Sequence, residues 1–138
     1  MKIHNVETEL YHVPLAKPMF DAVHGEQSDF SLVVVKIRTD DGAEGMGYTY
    51  SVGQVGGTSI ATLIKDNVVP LLIGEDPRRI EQIWSKMWWA LHYVGRGGIA
   101  VFAISAVDVA LWDLKARLDG EPLWRFLGGH DNKAEAYG

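Results

Sequence analysis

Carboxylates and imidazoles are the side chains best suited to proton chemistry at neutral pH, and their spacing decides what they can do together. Asp108 and Asp113 stand five residues apart in one apolar stretch. On a helix that separation turns them about 140° away from each other, so they do not converge on one atom. Asp113 and Arg117 are four apart, the spacing of an ion pair along one helix face, and both acids read as structural. The five histidines, His4, His12, His24, His92 and His130, show no metal-ligand spacing with one another or with acids. Gly95-Arg96-Gly97-Gly98 has the look of a phosphate loop, but no Walker lysine follows and no strand precedes it. Arg96 reads instead as a structural or interface residue. The chain has no cysteine, which removes disulfides, thiolate ligands and a cysteine nucleophile. No catalytic residue and no metal ligand is assigned within these residues.

The elements that must position these side chains follow from pattern. Residues 3–13 mix Ile3, Val6, Leu10 and Val13 with Thr8 and Tyr11 and predict a strand that Pro14 stops. Residues 14–29, with Pro14, Pro18, Gly25 and scattered polar groups, predict a loop of about 16 residues, a length that is usually functional or disordered. Residues 30–38 predict a buried strand, Thr39-Asp40-Asp41-Gly42 a turn, and residues 43–50 a returning strand. Three helices come next. The first has Thr58 as N-cap and ends at Pro70. The second starts at Asp76-Pro77 and carries Ile80, Ile83, Trp84, Met87, Trp88 and Leu91 on one face. The third spans 99–118, stops at Gly120, and is apolar almost all round in its first half. Trp84, Trp88, Trp89 and Trp112 read mostly as core. A short amphipathic turn over 122–127 closes the pattern. Strands followed by helices predict an α+β fold, a three-stranded antiparallel sheet and then a helical bundle.

Bulk numbers narrow the class further. With 138 residues, 47% hydrophobic and 22% charged, the chain can build one core. A formal charge of -5 offers no footprint for nucleic acid or an anionic membrane. No window approaches the roughly 18 apolar residues of a membrane span, and the N-terminus lacks the apolar run of a secretory signal. A cytoplasmic protein is expected.

Residues 103–128 narrow it most. Ala103, Ser105, Ala106, Val107, Asp108, Ala110, Leu111, Asp113, Leu114, Ala116, Arg117, Pro122, Leu123, Leu127 and Gly128 resemble the first signature of the mandelate racemase and muconate lactonizing enzyme family, within the enolase superfamily. Phe126 stands where that pattern has Leu or Ile, a core-type exchange. The opening is similar too: Val13-Pro14-Leu15-Ala16-Lys17-Pro18, a loop, a hydrophobic strand, then Asp41-Gly42-x-x-Gly45-x-Gly47.

The resemblance implies a capping domain over residues 1–129 and the start of a barrel at 130–138, with 134–137 as its interrupted first strand. A barrel needs about 200 residues or more, so the bases and metal ligands are expected beyond Gly138. It further implies a lyase or isomerase, an acid-sugar dehydratase or a racemase, that removes the proton α to a carboxylate. Mg²⁺ would stabilise the enediolate in the full-length enzyme. This chain alone is expected to bind no magnesium and to be inactive. The substrate would be a small carboxylate, an acid sugar or a 2-hydroxy acid, and the assembly a homo-oligomer. In such enzymes the 14–29 loop and the loop after the third strand fold over the substrate, which makes His24, Phe20, Met19, Val23, Tyr50 and Val52 the candidate contacts. The rival reading is a free-standing cap that binds or oligomerises without catalysis.

Overall fold

A computed structural model of the chain describes residues 1–95 and 97–136. Three strands form one antiparallel sheet in the order β1-β2-β3: β1 (Ile3–Asp21), β2 (Gly25–Thr39) and β3 (Glu44–Val52). The helices follow as α1 (Gly57–Leu63), a π-helical turn (Ile64–Val68), α2 (Val69–Leu72), α3 (Ile80–Leu91), α4 (Ile99–Leu118) and α5 (Leu123–Phe126). This is the α+β arrangement the pattern predicts. Among the described residues no helix is long and apolar enough to cross a membrane.

Strand pleating sorts the sheet into two faces. Val33, Val35 and Ile37 are fully buried against the helices. Their neighbours Leu32, Val34 and Lys36 lie on the open face. On β3 the buried positions include Gly45, Gly47 and Thr49, and the exposed ones are Met46, Tyr48, Tyr50 and Val52. The glycines matter because α4 lies directly on them. A Cβ at Gly47 would overlap the Ala106 carbonyl oxygen and the Ala110 amide, and one at Gly45 would overlap the backbone and Cβ of Leu114. Asp113 ties the same junction: its Oδ2 accepts from the Met46 amide at 2.8 Å and from Arg117 Nε at 2.8 Å.

Several boundaries depart from the pattern. β1 does not stop at Pro14 but continues to Asp21, so the expected loop is a β-ribbon. Proline is tolerated because β1 is an edge strand and the prolines flank a register shift. Thr58 is not the N-cap of α1; Gly56, at φ 84°, holds that place. Pro70 does not end the first helical run. The π-turn before it widens the helix where the proline ring would clash with the preceding turn, and α2 continues to Leu72. Asp76-Pro77 do not open α3, which begins at Ile80. The Asp76 carboxylate accepts from the Arg78 amide two residues on, a local turn that competes with capping. Of the four tryptophans expected in the core, Trp88 and Trp112 pack half-buried against it, whereas Trp84 and Trp89 are 38% and 62% exposed. α4 is buried on one side only; Val101, Phe102 and Val109 face outward. Residues 134–136 carry no strand pairing, and Arg96 and Tyr137 lie outside the described residues.

Because backbone cannot retreat from backbone, Gly47→Ala should cost about 3 kcal/mol or more. Met46→Ala, at an exposed neighbour, should cost about 0.5 kcal/mol. Urea denaturation midpoints of the two variants measure the contrast.

Candidate functional site

The β1–β2 pair extends beyond the sheet as a two-stranded ribbon. Between the pairs Pro14/Asp29 and Met19/Gln27, β1 advances five residues while β2 advances two. The excess on β1 is a bulge, and a bulge bends a ribbon. Met19 and Gln27 are thereby carried to the end of the open face, where Val13, Phe30 and Leu32 meet Tyr50 and Val52. These seven residues line an open cavity of about 520 Å³, within the size range of small-ligand sites. Phe30 and Tyr50 form one wall edge to face, with ring centroids 5.7 Å apart and planes at 80°. Apart from the Tyr50 hydroxyl, Gln27 supplies the polar side chain in an otherwise apolar lining.

The segment after β3 is fastened to the same end. The Gly53 amide donates to the Asp29 carbonyl at 2.9 Å, and Ser31 Oγ donates to the Gly53 carbonyl at 2.8 Å. A hydroxyl has one proton, so the 3.3 Å contact between Ser31 Oγ and His12 Nδ1 requires the imidazole to donate. The 14–29 ribbon and the 50–53 segment therefore form one rim.

At the ribbon tip a single carboxylate gathers the turn. Asp21 accepts from the Val23 and His24 amides at 2.8 and 2.7 Å, from His24 Nδ1 at 2.9 Å and from Gln27 Nε2 at 3.0 Å. The His24 amide, then the His24 ring, then the Val23 amide stabilise its charged form and pull its pKa down to about 2. With Nδ1 donating to Asp21, Nε2 is the ring nitrogen left outside the clasp. Gln27 connects this clasp to the cavity wall.

Of the six residues singled out from sequence, the structure brings Met19, Tyr50 and Val52 together around the cavity. It places Phe20, Val23 and His24 at the tip, outside the lining; Phe20 is 78% and Val23 85% exposed. Val13, Gln27, Phe30 and Leu32 line the cavity without having been singled out. For Val13, Phe30 and Leu32 the signal was strand alternation: Phe30 pairs with Val13, and Leu32 with Tyr50, on the open face. Among the described residues, no three His, Asp or Glu side chains are grouped so as to hold a metal ion.

Residues 5–128 match the family model described as mandelate racemase / muconate lactonizing enzyme, N-terminal domain. A 3,6-anhydro-alpha-L-galactonate cycloisomerase of Streptomyces coelicolor is 48% identical over 135 residues, covering 98% of this chain and 37% of that protein. The L-talarate/galactarate dehydratase of Salmonella typhimurium is 40% identical over 141 residues, covering 99% of this chain and 35% of the relative. The chain thus spans about a third of the length of these relatives. A crystal structure of a racemase from Streptomyces coelicolor with bound magnesium superposes with a TM-score of 0.90 at 50% identity, covering 94% of this chain and 36% of that one. The Salmonella dehydratase with Mg and L-lyxarohydroxamate gives 0.87 at 39% identity, covering 94% and 34%.

The tip clasp carries its own pH signature. The folded pKa of Asp21 lies below its ordinary value of 3.8, so the clasp is complete above about pH 4 and is lost as pH falls toward 2. Protection of the Val23 and His24 amides, measured as exchange relative to the intrinsic rate at each pH, should fall through that window. Asp21→Asn should lower it at neutral pH as well while leaving the global unfolding midpoint nearly unchanged.

Proposed function

The chain belongs to the mandelate racemase/muconate lactonizing enzyme family of the enolase superfamily, and from that premise we propose that it is the substrate-capping domain of an enzyme that removes the proton α to the carboxylate of an acid sugar. The observation that carries this reading is the cavity at the rim. Two separate segments, the bent ribbon and the end of β3, converge there on a volume suited to a small molecule. Relatives of the same domain are named as acid-sugar dehydratases and a cycloisomerase. The reaction is accordingly an elimination or an isomerisation.

The domain's part is to shape and dry the site. Met19, Phe30, Leu32, Tyr50 and Val52 present apolar surface and displace water from one side of the substrate. Gln27, held by Asp21, offers its amide oxygen toward a hydroxyl, and the Tyr50 hydroxyl offers a second polar contact. His24 and the exposed Phe20 and Val23 would close over the mouth from the tip. Solved relatives contain magnesium, and a divalent ion bound beside a carboxylate would supply electrostatic stabilisation of the charge that develops there. Among the described residues no carboxylate cluster converges in the way a magnesium site requires.

A domain exchange tests the proposal. This chain, in place of the matching third of the Salmonella L-talarate/galactarate dehydratase, should leave dehydration intact. Met19→Ala and Tyr50→Ala in that chimera should each lower kcat/KM by about tenfold or more, the worth of a lost apolar contact. Alone, in deuterated solvent with magnesium and a panel of acid sugars, the chain should catalyse no α-proton exchange. Exchange that tracks the purified chain, or a chimera indifferent to both substitutions, would refute this assignment.

A further inference from the structure

On the helical side of the sheet, α3 and α4 face each other with two matching stripes. Glu81, Trp84 and Trp88 stand at i, i+3 and i+7 on α3, and Ser105, Asp108 and Trp112 at the same spacing on α4. That spacing puts each set on one helix face. Together they line two adjoining cavities of about 300 and about 210 Å³ that share Trp84 and Asp108. The Trp84 and Trp88 indoles stack with centroids 5.3 Å apart and planes 11° from parallel, giving the groove a flat aromatic wall.

Asp108 is the group this packing leaves unmatched. It is half-buried against Trp84 and Trp112. Among the described residues it makes no hydrogen bond and has no cation at ion-pair distance. Burial, and then the like charge of Glu81, push its carboxyl above the ordinary range. The contrast with Asp113 on the same helix is direct, since Asp113 holds both Arg117 and the Met46 amide. Lys115, close by on α4, lies over the rings of Trp112 and Phe126 at 5.2 and 5.6 Å and forms no ion pair with Asp108.

We propose that the α3–α4 groove receives an arginine side chain presented by a partner polypeptide, its guanidinium stacked on Trp84 and hydrogen-bonded to Asp108. Charge complementarity selects a cation, because two carboxylates, Glu81 and Asp108, line the groove and neither forms an ion pair among the described residues. The aromatic wall selects a planar one: a guanidinium stacks on an indole and still directs its edge at a carboxylate, which an ammonium cannot do. A polypeptide fits better than a free cation because the groove is open along its length. Trp84 is 38% exposed and Val101, at its other end, 42%, so apolar shoulders remain for a backbone and its neighbouring side chains to cover. The inference does not depend on the proposed enzymatic role.

The test follows the indole N–H resonances of Trp84 and Trp88 while the chain is titrated with N-acetyl-arginine amide. N-acetyl-citrulline amide, N-acetyl-lysine amide and a blocked pentapeptide with one central arginine between valines run in parallel. Saturable shifts are expected with arginine, about tenfold weaker binding or more with lysine and citrulline, and tighter binding by the pentapeptide than by the amide. Asp108→Asn, with its fold checked by circular dichroism, and Trp84→Leu should each weaken the arginine probe by about tenfold. Equal responses to arginine and citrulline, or variants that bind as the parent does, would overturn the proposal. A pentapeptide no tighter than the amide would overturn its polypeptide part. If Asp108→Asn fails to fold, Trp84→Leu, at a partly exposed site, decides alone.

Discussion

The approach of α4 to the backbone of β3 is the constraint from which the rest of the structure follows. A helix can lie that close to a strand only where the strand has no side chains, and Gly45 and Gly47 supply two such positions on one face. The facing positions of α4 are Ala106, Ala110 and Leu114, two of them alanines, so contact is made mostly by backbone and methyl groups. Pleating then dictates the remainder. If Gly45, Gly47 and Thr49 face the helix, Met46, Tyr48, Tyr50 and Val52 must face away. The tyrosine and valine at the cavity are thus oriented by glycines a few residues earlier. Asp113 locks the register by holding the Met46 amide, so a slip of one residue would lose that bond and turn every side chain of β3 over.

The ribbon uses a second device. Pro14 and Pro18 lie on an edge strand, where a missing amide costs the sheet nothing on its outer side. The bulge between Pro14 and Met19 gives the bend that brings Met19 and Gln27 over the sheet's end. Nothing in the core of the domain fixes the tip beyond that bend. Asp21 does so locally, by satisfying two backbone amides, an imidazole and the Gln27 side chain at once. The cavity wall and the exposed tip are consequently coupled through one residue, Gln27, with its amide nitrogen on the clasp and its body in the lining.

Patterns that depend on burial were legible in the residues themselves. The strand at 30–38 and the helix at 99–118 both show their apolar periodicity, and α4 has the predicted ends. Where local chemistry competes with periodicity, the residues misled. Pro14 reads as a stop until β1 is known to be an edge. Pro70 reads as a terminator until a π-turn makes room for its ring. Asp76 reads as a cap although its carboxylate is taken by Arg78. The cavity was half visible. Met19, Tyr50 and Val52 lie in the segments expected to form the rim. Val13, Phe30 and Leu32 sit inside strands, and only the pairing register shows that their outward faces meet. Gln27 was hidden for another reason, since its place depends on the bulge count between the two arms of the ribbon.

The character of the cavity also bears on how such a domain could influence chemistry without supplying an acid or a base. Five of the seven lining side chains are aliphatic or phenyl, and Tyr50 adds a further ring. Surface of that kind forms no strong bond to a charged intermediate. Its effect is on the medium. Water excluded from one side of a reacting carboxylate lowers the local dielectric, and every fixed charge or dipole on the opposite side then acts more strongly on charge that develops there. Under the proposed function, substitutions in the lining would therefore alter rate as well as affinity. Substitutions at the tip would act mainly on how readily that medium is assembled, because the Asp21 clasp sets the order of the turn and not the composition of the wall. The two parts of the rim are separable on these grounds: the bend and the wall belong to the folded core through β2 and β3, whereas the tip is ordered by a few hydrogen bonds exposed to solvent.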